Sequence, residues 1–488
     1  MIRVRTRTPE FISDIGDMLR LFLGDVQIVE AAPGEEADFE HEIIERDGRI
    51  ADCWSHGDRA HEIEQTTPTG TPVEIRRARK RQVKRTLYEL LKDMTGMQLP
   101  WGALTGIRPT RLLYEALDAG LDMDAARARV MREFDVSADR AELLCEIAEM
   151  QRGVRTPEAG SFDLYIGIPF CKTRCSYCSF SSGEIGRNKK LVAPYTEALL
   201  REIELSARLM REAGLHVRAA YVGGGTPTAI PCEDLTRILA AAREAFPGAV
   251  EWTVEAGRPD TIDREKLEML RRMEIGRISV NPQTFCDETL ARIGRSHSGE
   301  DTIRAYELAR ELGFDDINMD LIAALPGETP EIFAATLEKV ISLAPESVTV
   351  HSLAIKRSSK LHEQLHVSGA GHTQVSAAGA AEMIAHARSR LTQAGWRPYY
   401  LYRQKYMAGN LENVGYARPG KACLYNIGNM EETASVLALG AGAISKWLFA
   451  RDLRIERAAN VKNIEEYTRR VEEMVQRKRD LILPEEKL

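Results

Sequence analysis

Between residues 160 and 355 the chain alternates short apolar runs with charged stretches of helical period, and no other feature restricts the fold as much. The apolar runs are Leu164–Ile168, Ala219–Val222, Trp252–Val254, Arg277–Val280, Ile317–Leu321 and Val348–Val350, with helical patterns such as Tyr195–Ala213 and Asp301–Leu312 between them. Alternation of this kind demands a parallel sheet whose faces are covered by helices. Six such units predict a partial (βα)6 barrel rather than the closed eight-stranded form. In such barrels the working residues sit at the C-terminal ends of the strands.

The residues able to do chemistry fall where that rule puts them. Cys171, Cys175 and Cys178 follow the first strand at C-x3-C-x2-C spacing, and Gly223, Gly224, Gly225, Thr226 and Pro227 follow the second. Glu255 ends the third strand, Gln283 follows the fourth, and Asp320 and His351 end the fifth and sixth. A loop this short can wrap three irons of a cubane cluster and leave the fourth iron open to another chelator. Iron–sulfur clusters held by thiolates pass single electrons, and adenosylmethionine is a radical cofactor. Together they mean reductive cleavage to a 5′-deoxyadenosyl radical. Structural zinc asks for four ligands, usually from two knuckles or a Cys–His combination, and only one knuckle is present. Cys53, Cys145, Cys232, Cys286 and Cys423 are scattered singly, which suits small buried hydrophobes and not a disulfide framework.

Glu255, Gln283 and Asp320 offer acceptors for a nucleoside with a zwitterionic amino-acid tail. Arg295 offers that tail's carboxylate a matching guanidinium. Taken singly each reads as an ordinary rim residue; with the cysteine loop they make one site. The glycine run is no P-loop, since no Gly-Lys-Ser/Thr follows. Gly440-Ala441-Gly442 lacks the third glycine of a dinucleotide fingerprint.

A length of 488 residues suggests about three domains. The expected boundaries are 1–155 for an α+β accessory domain, 156–360 for the barrel core and 361–488 for a mainly helical C-terminal domain. Asp47–Gly48 between apolar positions signals a hairpin, and Val83, Leu87, Leu90 and Leu91 recur at helical spacing. Seven of the ten residues from Arg76 to Arg85 are Lys or Arg, which reads as a solvated helix face. Pro157–Gly160 reads as a linker. A net charge of −7 gives no reason to expect nucleic acid. The N-terminus lacks the apolar core of a signal peptide. The apolar stretch Val436–Ala450 is too short to span a bilayer and contains Lys446. The expectation is a cytoplasmic chain without a membrane span.

The segments Tyr-Ile-Gly-Ile-Pro-Phe-Cys with its triple cysteine, Tyr-Val-Gly-Gly-Gly-Thr-Pro-Thr, Arg-Ile-Ser-Val-Asn-Pro-Gln-Thr-Phe and Asn-Met-Asp-Leu-Ile-Ala-Ala-Leu-Pro-Gly resemble the radical S-adenosylmethionine superfamily. More narrowly, they are similar to its oxygen-independent coproporphyrinogen III oxidase branch, and the whole chain most resembles the Z-type dehydrogenases. The likeness covers roughly residues 160–360 and continues towards 446. It implies a 4Fe-4S cluster on Cys171, Cys175 and Cys178, and S-adenosylmethionine against Tyr177, Gly224, Gly225, Thr226, Glu255, Gln283, Arg295, Asp320 and the Ala354 backbone. Tyr165 matches a tyrosine at the family's cofactor and substrate site, which implies a catalytic role.

The implied reaction is oxidative decarboxylation of two propionates of coproporphyrinogen III to the vinyl groups of protoporphyrinogen IX. Its implied electron donor is a low-potential carrier such as a ferredoxin or flavodoxin. Lys356, Arg357, Arg403 and Lys405 are candidate cations for a tetracarboxylate, though solvated surface is the ordinary state of such residues. The chain departs from the branch at Phe180, where a further cysteine is the rule. The Cys-Ser-Phe ending and Tyr416-Ala417-Arg418-Pro419-Gly420 are closer to the sister branch of haem-binding chaperones. A haem-binding chaperone and an anaerobic haem-modifying methyltransferase therefore remain alternatives. His351 is a conceivable axial ligand to haem iron, against the ordinary state of a satisfied rim histidine.

Overall fold

The computed structural model describes residues 1–24, 26–106, 108–356, 358–367, 375–404, 411–449 and 454–483. The chain divides into two compact units, Met1–Cys145 and Glu146–Leu488.

The first unit is α+β. Strands β1 (Ile2–Arg5), β2 (Ile28–Glu30), β3 (Phe39–Arg46), β4 (Arg49–His56) and β5 (Arg59–Thr66) form a sheet in the order β2-β1-β3-β4-β5. The turn between β3 and β4 is Asp47–Gly48, with φ of 44° and 74°. Two successive positive φ values are what a tight hairpin requires, and Asp-Gly accepts them at little cost. The helix Pro72–Thr95 starts at a Thr71–Glu74 capping box and stops at Gly96, which is left-handed. It buries Val83, Leu87, Leu90 and Leu91 against Trp54 and Phe22. Its basic run is largely spent inside this unit: Arg79 pairs with Asp52 at 3.6 Å, Lys80 with Asp14 at 3.5 Å and Arg81 with Glu115 at 2.8 Å.

The second unit is built on one eleven-stranded sheet. β6 (Ser161–Ile168) leads into the short β7 (Phe170–Cys171), which pairs with β8 (Gly183–Glu184). β9 (His216–Gly224), β10 (Glu251–Gly257), β11 (Arg277–Val280), β12 (Ile317–Ala323) and β13 (Ser347–Ser352) follow, each next to and parallel with its predecessor after β6. These are the six expected strands. Ile166, Val222, Val254, Ile278 and Leu321 are fully buried in them, as befits strands covered on both faces.

The C-terminal region contributes helices such as Ala377–Gln393 and Val471–Ile482, and also five strands. β14 (Arg397–Tyr402) and β15 (Asn413–Ala417) extend one edge antiparallel beyond β13. β16 (Ser435–Leu439) lies parallel to β6 on the other edge and carries β17 (Ile444–Phe449) and β18 (Arg454–Ala459). Gly440, after β16, donates its N–H to Glu202 at 2.7 Å and packs on the Gly167 carbonyl. That glycine motif is a packing turn. Among the described residues no helix is long and apolar enough to cross a membrane.

Candidate functional site

A cavity opens at the C-terminal ends of β6 to β13, and the cysteine loop forms one wall. The loop is anchored by backbone bonds from several elements. Gly225 N donates to Ile168 O at 2.8 Å, Thr226 N to Phe170 O at 2.7 Å, and Ser176 N to Ile293 O at 2.9 Å. Leu361 N donates to Ser176 O at 2.8 Å. A Cβ on Gly225 would stand 2.5 Å from the Phe170 carbonyl oxygen, so only glycine lets the end of β9 approach this closely.

Cys171, Cys175 and Cys178 all line this cavity, and burial pushes the thiols of Cys171 and Cys178 up. Thr226 Oγ1 lies 3.7 Å from Cys171 Sγ. Among the described residues no three His, Cys, Asp or Glu side chains are gathered to hold a single ion. Three cysteines around one cavity suit a cluster whose ligands sit on separate irons. All eight cysteines are free thiols, and of the lone ones Cys145 and Cys423 are buried while Cys53, Cys232 and Cys286 are half-buried.

Tyr177, Gly224, Gly225, Thr226, Glu255, Gln283, Arg295, Asp320 and Ala354 line the same cavity. Glu255 accepts from Tyr221 Oη at 2.5 Å, and burial raises its carboxyl to about 7. Asp320 lies three residues before the end of β12, where Asn318 Nδ2 donates to it at 2.8 Å. Gln283 has a φ of 65° and is held there by Gln283 N to Asp320 O at 2.9 Å and Ile322 N to Gln283 O at 3.1 Å. Its Oε1 is buried without a partner, as is Arg295 Nε. Both polar atoms are in the state a missing polar ligand would relieve. Arg295 Nη1 donates to Asn281 O at 2.6 Å and lies 3.2 Å from His297 Nε2. Burial and then Arg295 hold His297 down to about 4, so its neutral ring accepts there while Nδ1 donates to Ser298 O at 3.2 Å. The unpaired atoms, the glycine approach and the three thiols fit a cluster with S-adenosylmethionine beside it.

Tyr165 is not among the lining residues. It stacks with Tyr221 and Tyr425 at 6.4 and 6.3 Å between ring centroids. Lys356 lines the cavity, and Arg403 is buried and is not among the lining residues. Arg357 and Lys405 lie outside the described residues. His351 lines the cavity as a satisfied rim residue, 3.3 Å from Tyr402 Oη and 3.9 Å from Asp320.

Two residues escaped the sequence reading. Tyr221 fixes Glu255, and Arg258 sits with its Nη1 3.7 Å from Cys175 Sγ. Burial alone would raise the carboxyl of its partner Asp260, yet the Arg258 guanidinium holds it down to about 2. Extending the strand-end rule three residues past Glu255 would have reached Arg258.

A family described as the radical SAM superfamily matches residues 165–340. The fold and site thus define the class: a partial-barrel protein whose cofactors are a 4Fe-4S cluster and S-adenosylmethionine. Narrower likenesses follow. The oxygen-independent coproporphyrinogen-III oxidase-like protein HemZ of Bacillus subtilis is 39% identical over 421 residues, 84% of this chain and 83% of that one. Because that share exceeds what Glu146–Leu488 can supply, the likeness reaches into Met1–Cys145. The haem chaperone HemW of Bacillus subtilis is 34% identical over 39% of this chain and 50% of its own. The solved coproporphyrinogen III oxidase HemN of Escherichia coli superposes with a TM-score of 0.52 at 27% identity, covering 67% of this chain and 73% of that one. The chain belongs to the oxygen-independent coproporphyrinogen III oxidase-like family of radical SAM proteins.

Proposed function

We propose that the chain oxidatively decarboxylates two propionate side chains of coproporphyrinogen III to give the vinyl groups of protoporphyrinogen IX. Each propionate gives up carbon dioxide, one hydrogen atom and one electron. The observation that carries this reading is the set of polar residues lining the cavity. Besides the residues suited to the cofactor it is lined by His351, Lys356, Tyr402, Gln404 and Asn413, polar side chains suited to a carboxylate-rich substrate.

Cys171, Cys175 and Cys178 hold the cluster, and Gly224, Gly225 and Thr226 meet the amino-acid tail of S-adenosylmethionine. Arg295 takes the carboxylate of that tail, and Tyr177 lies against the adenine. Glu255, Gln283 and Asp320 accept from the cofactor's hydroxyl and amino groups, and the Ala354 backbone completes the contact. Bound together, the cluster and S-adenosylmethionine supply an oxidant that removes hydrogen from an unactivated carbon. Tyr165 acts through the ring stack that supports Tyr221 and hence Glu255. The cysteine loop carries Phe180, which is 67% exposed, and Lys172, and the helix Ile185–Glu212 carries the exposed Lys189 and Lys190. Exposed lysines such as Lys189 and Lys190 suit an acidic low-potential electron donor such as a ferredoxin or flavodoxin.

Phe180 also favours a second reading, haem handling without turnover, because the catalytic branch has a cysteine there. An anaerobic assay decides between them. The chain is reconstituted with iron and sulfide, then given S-adenosylmethionine, reductant and coproporphyrinogen III, and tetrapyrrole masses are followed. Two successive losses matching decarboxylation, absent in Cys175→Ala, are expected. Cofactor cleavage with haem bound and no decarboxylation would replace the first reading by the second.

A further inference from the structure

We infer that Arg258, clamped by Asp260, is a positioning residue that holds a cationic N–H donor against Cys175 and thereby sets the reduction potential of the cluster. This rests on the cysteines carrying the cluster and not on which tetrapyrrole is bound.

Arg258 follows β10, and its side chain is 4% exposed. Its Nε and Nη2 form a two-pronged bond to Asp260, both at 3.0 Å. That fork fixes the plane of the guanidinium, and Nη2 also reaches Ser296 Oγ at 3.4 Å. The remaining nitrogen, Nη1, faces the cysteine loop. It donates to Thr173 O at 3.1 Å and lies 3.7 Å from Cys175 Sγ. Each nitrogen is engaged, so Arg258 has no edge left for a substrate carboxylate. Asp260 is held in turn by Ser296 Oγ at 3.0 Å and by Lys172 Nζ at 3.5 Å. Lys172 also donates to the Asp260 carbonyl at 2.9 Å, which ties this pair to the loop residue next to Cys171.

Hydrogen bonds and charge at ligand sulfurs are among the levers that set a cluster's potential. The reduced cluster carries one more negative charge than the oxidised one, so a guanidinium beside Cys175 favours reduction. The Asp260 carboxylate, on the far side of the guanidinium, opposes it from a greater distance. The two residues therefore act with opposite signs on the same quantity. A merely structural pair would not behave so, since losing either half would disturb the loop alike.

The test is a reductive titration of the reconstituted full chain, followed by the electron paramagnetic resonance signal of the reduced cluster, without S-adenosylmethionine. Arg258→Met is expected to disfavour reduction at least tenfold, or 59 mV for one electron. Asp260→Asn, which keeps the guanidinium and removes the opposing charge, is expected to shift the potential the other way. Iron and sulfide content should match the parent in Asp260→Asn. If Arg258→Met fails to hold iron, Arg258→Lys and Asp260→Asn decide: the lysine should retain most of the parent potential, and the asparagine should still raise it. Shifts of the same sign in Met and Asn variants, or an unshifted Asp260→Asn, would overturn the inference. Failure of the parent chain to bind a cluster would instead refute the site itself.

Discussion

The two ends of the barrel treat charge differently. At the N-terminal end of the strands, Arg277 bonds Asp316 with Nε and Nη2 at 2.9 and 3.0 Å, Glu251 with Nη1 at 2.9 Å, and Lys421 O at 2.8 Å. Glu251 also accepts from Cys423 Sγ, Leu424 N and Tyr425 N. Arg218 grips Asp163 at 2.9 and 2.7 Å. At the C-terminal mouth, Gln283 Oε1 and Arg295 Nε are buried without partners. The charged groups at the N-terminal end are matched to one another, whereas at the mouth the matched pair Arg258–Asp260 stands beside Gln283 and Arg295, which keep unpartnered atoms. A buried polar atom left unmatched costs about 1–3 kcal/mol. Unmatched atoms at the mouth are what a site built for a polar ligand would carry.

Breaking the self-satisfied end should give the largest effect. Arg277→Met strands two carboxylates in a buried site, and removing one partner of such a network costs about 3–5 kcal/mol. The expected result is a much lower denaturation midpoint with an unchanged iron content per folded molecule. Loss of iron at unchanged stability would erase the distinction between the two ends.

The second effect is a pH dependence at the mouth. Burial raises Glu255 from the ordinary value near 4.5 to about 7. A carboxyl raised in the folded state stabilises it fully below the unfolded value, and that contribution is lost as pH climbs through the folded value. The protein without cluster should thus lose stability between about pH 4.5 and 7, by at most about 3 kcal/mol at 1.36 kcal/mol per unit. Glu255→Gln cannot ionise, so melting curves across this range should be flatter for the variant. Parallel curves would show that Glu255 is well solvated in the open cavity.

Much of this architecture was legible because local chemistry dictates it. Each of β6 and β9 to β13 is an apolar run between charged helices, and Asp47–Gly48 is a turn in almost any context. The edge strands were not legible. β16 pairs with β6 although Ser435 lies opposite Phe162, and nothing local specifies so distant a partner. Arg403 read as surface yet is buried, because its surroundings come from the fold and not from its neighbours. The cysteines and the residues that line one cavity with them could be grouped because a spacing or a strand end marks them. Arg258 could not, since its significance is a distance to Cys175 across the site.

The smallest effect sharpens the comparison most. Gln283 is one of few non-glycine residues with positive φ, a conformation that costs an L-residue about 1–2 kcal/mol. Gln283→Gly removes both that strain and the unpaired Oε1, at the expense of added freedom in the unfolded chain. A net gain of about 1 kcal/mol is expected for the protein without cofactor. Gln283→Ala removes the unpaired atom but keeps the strain, so it should fall between the parent and the glycine variant. Both variants should bind S-adenosylmethionine more weakly once reconstituted. If both were instead less stable than the parent, Gln283 would be part of the scaffold, and the case for a ligand at the mouth would rest on Arg295 alone.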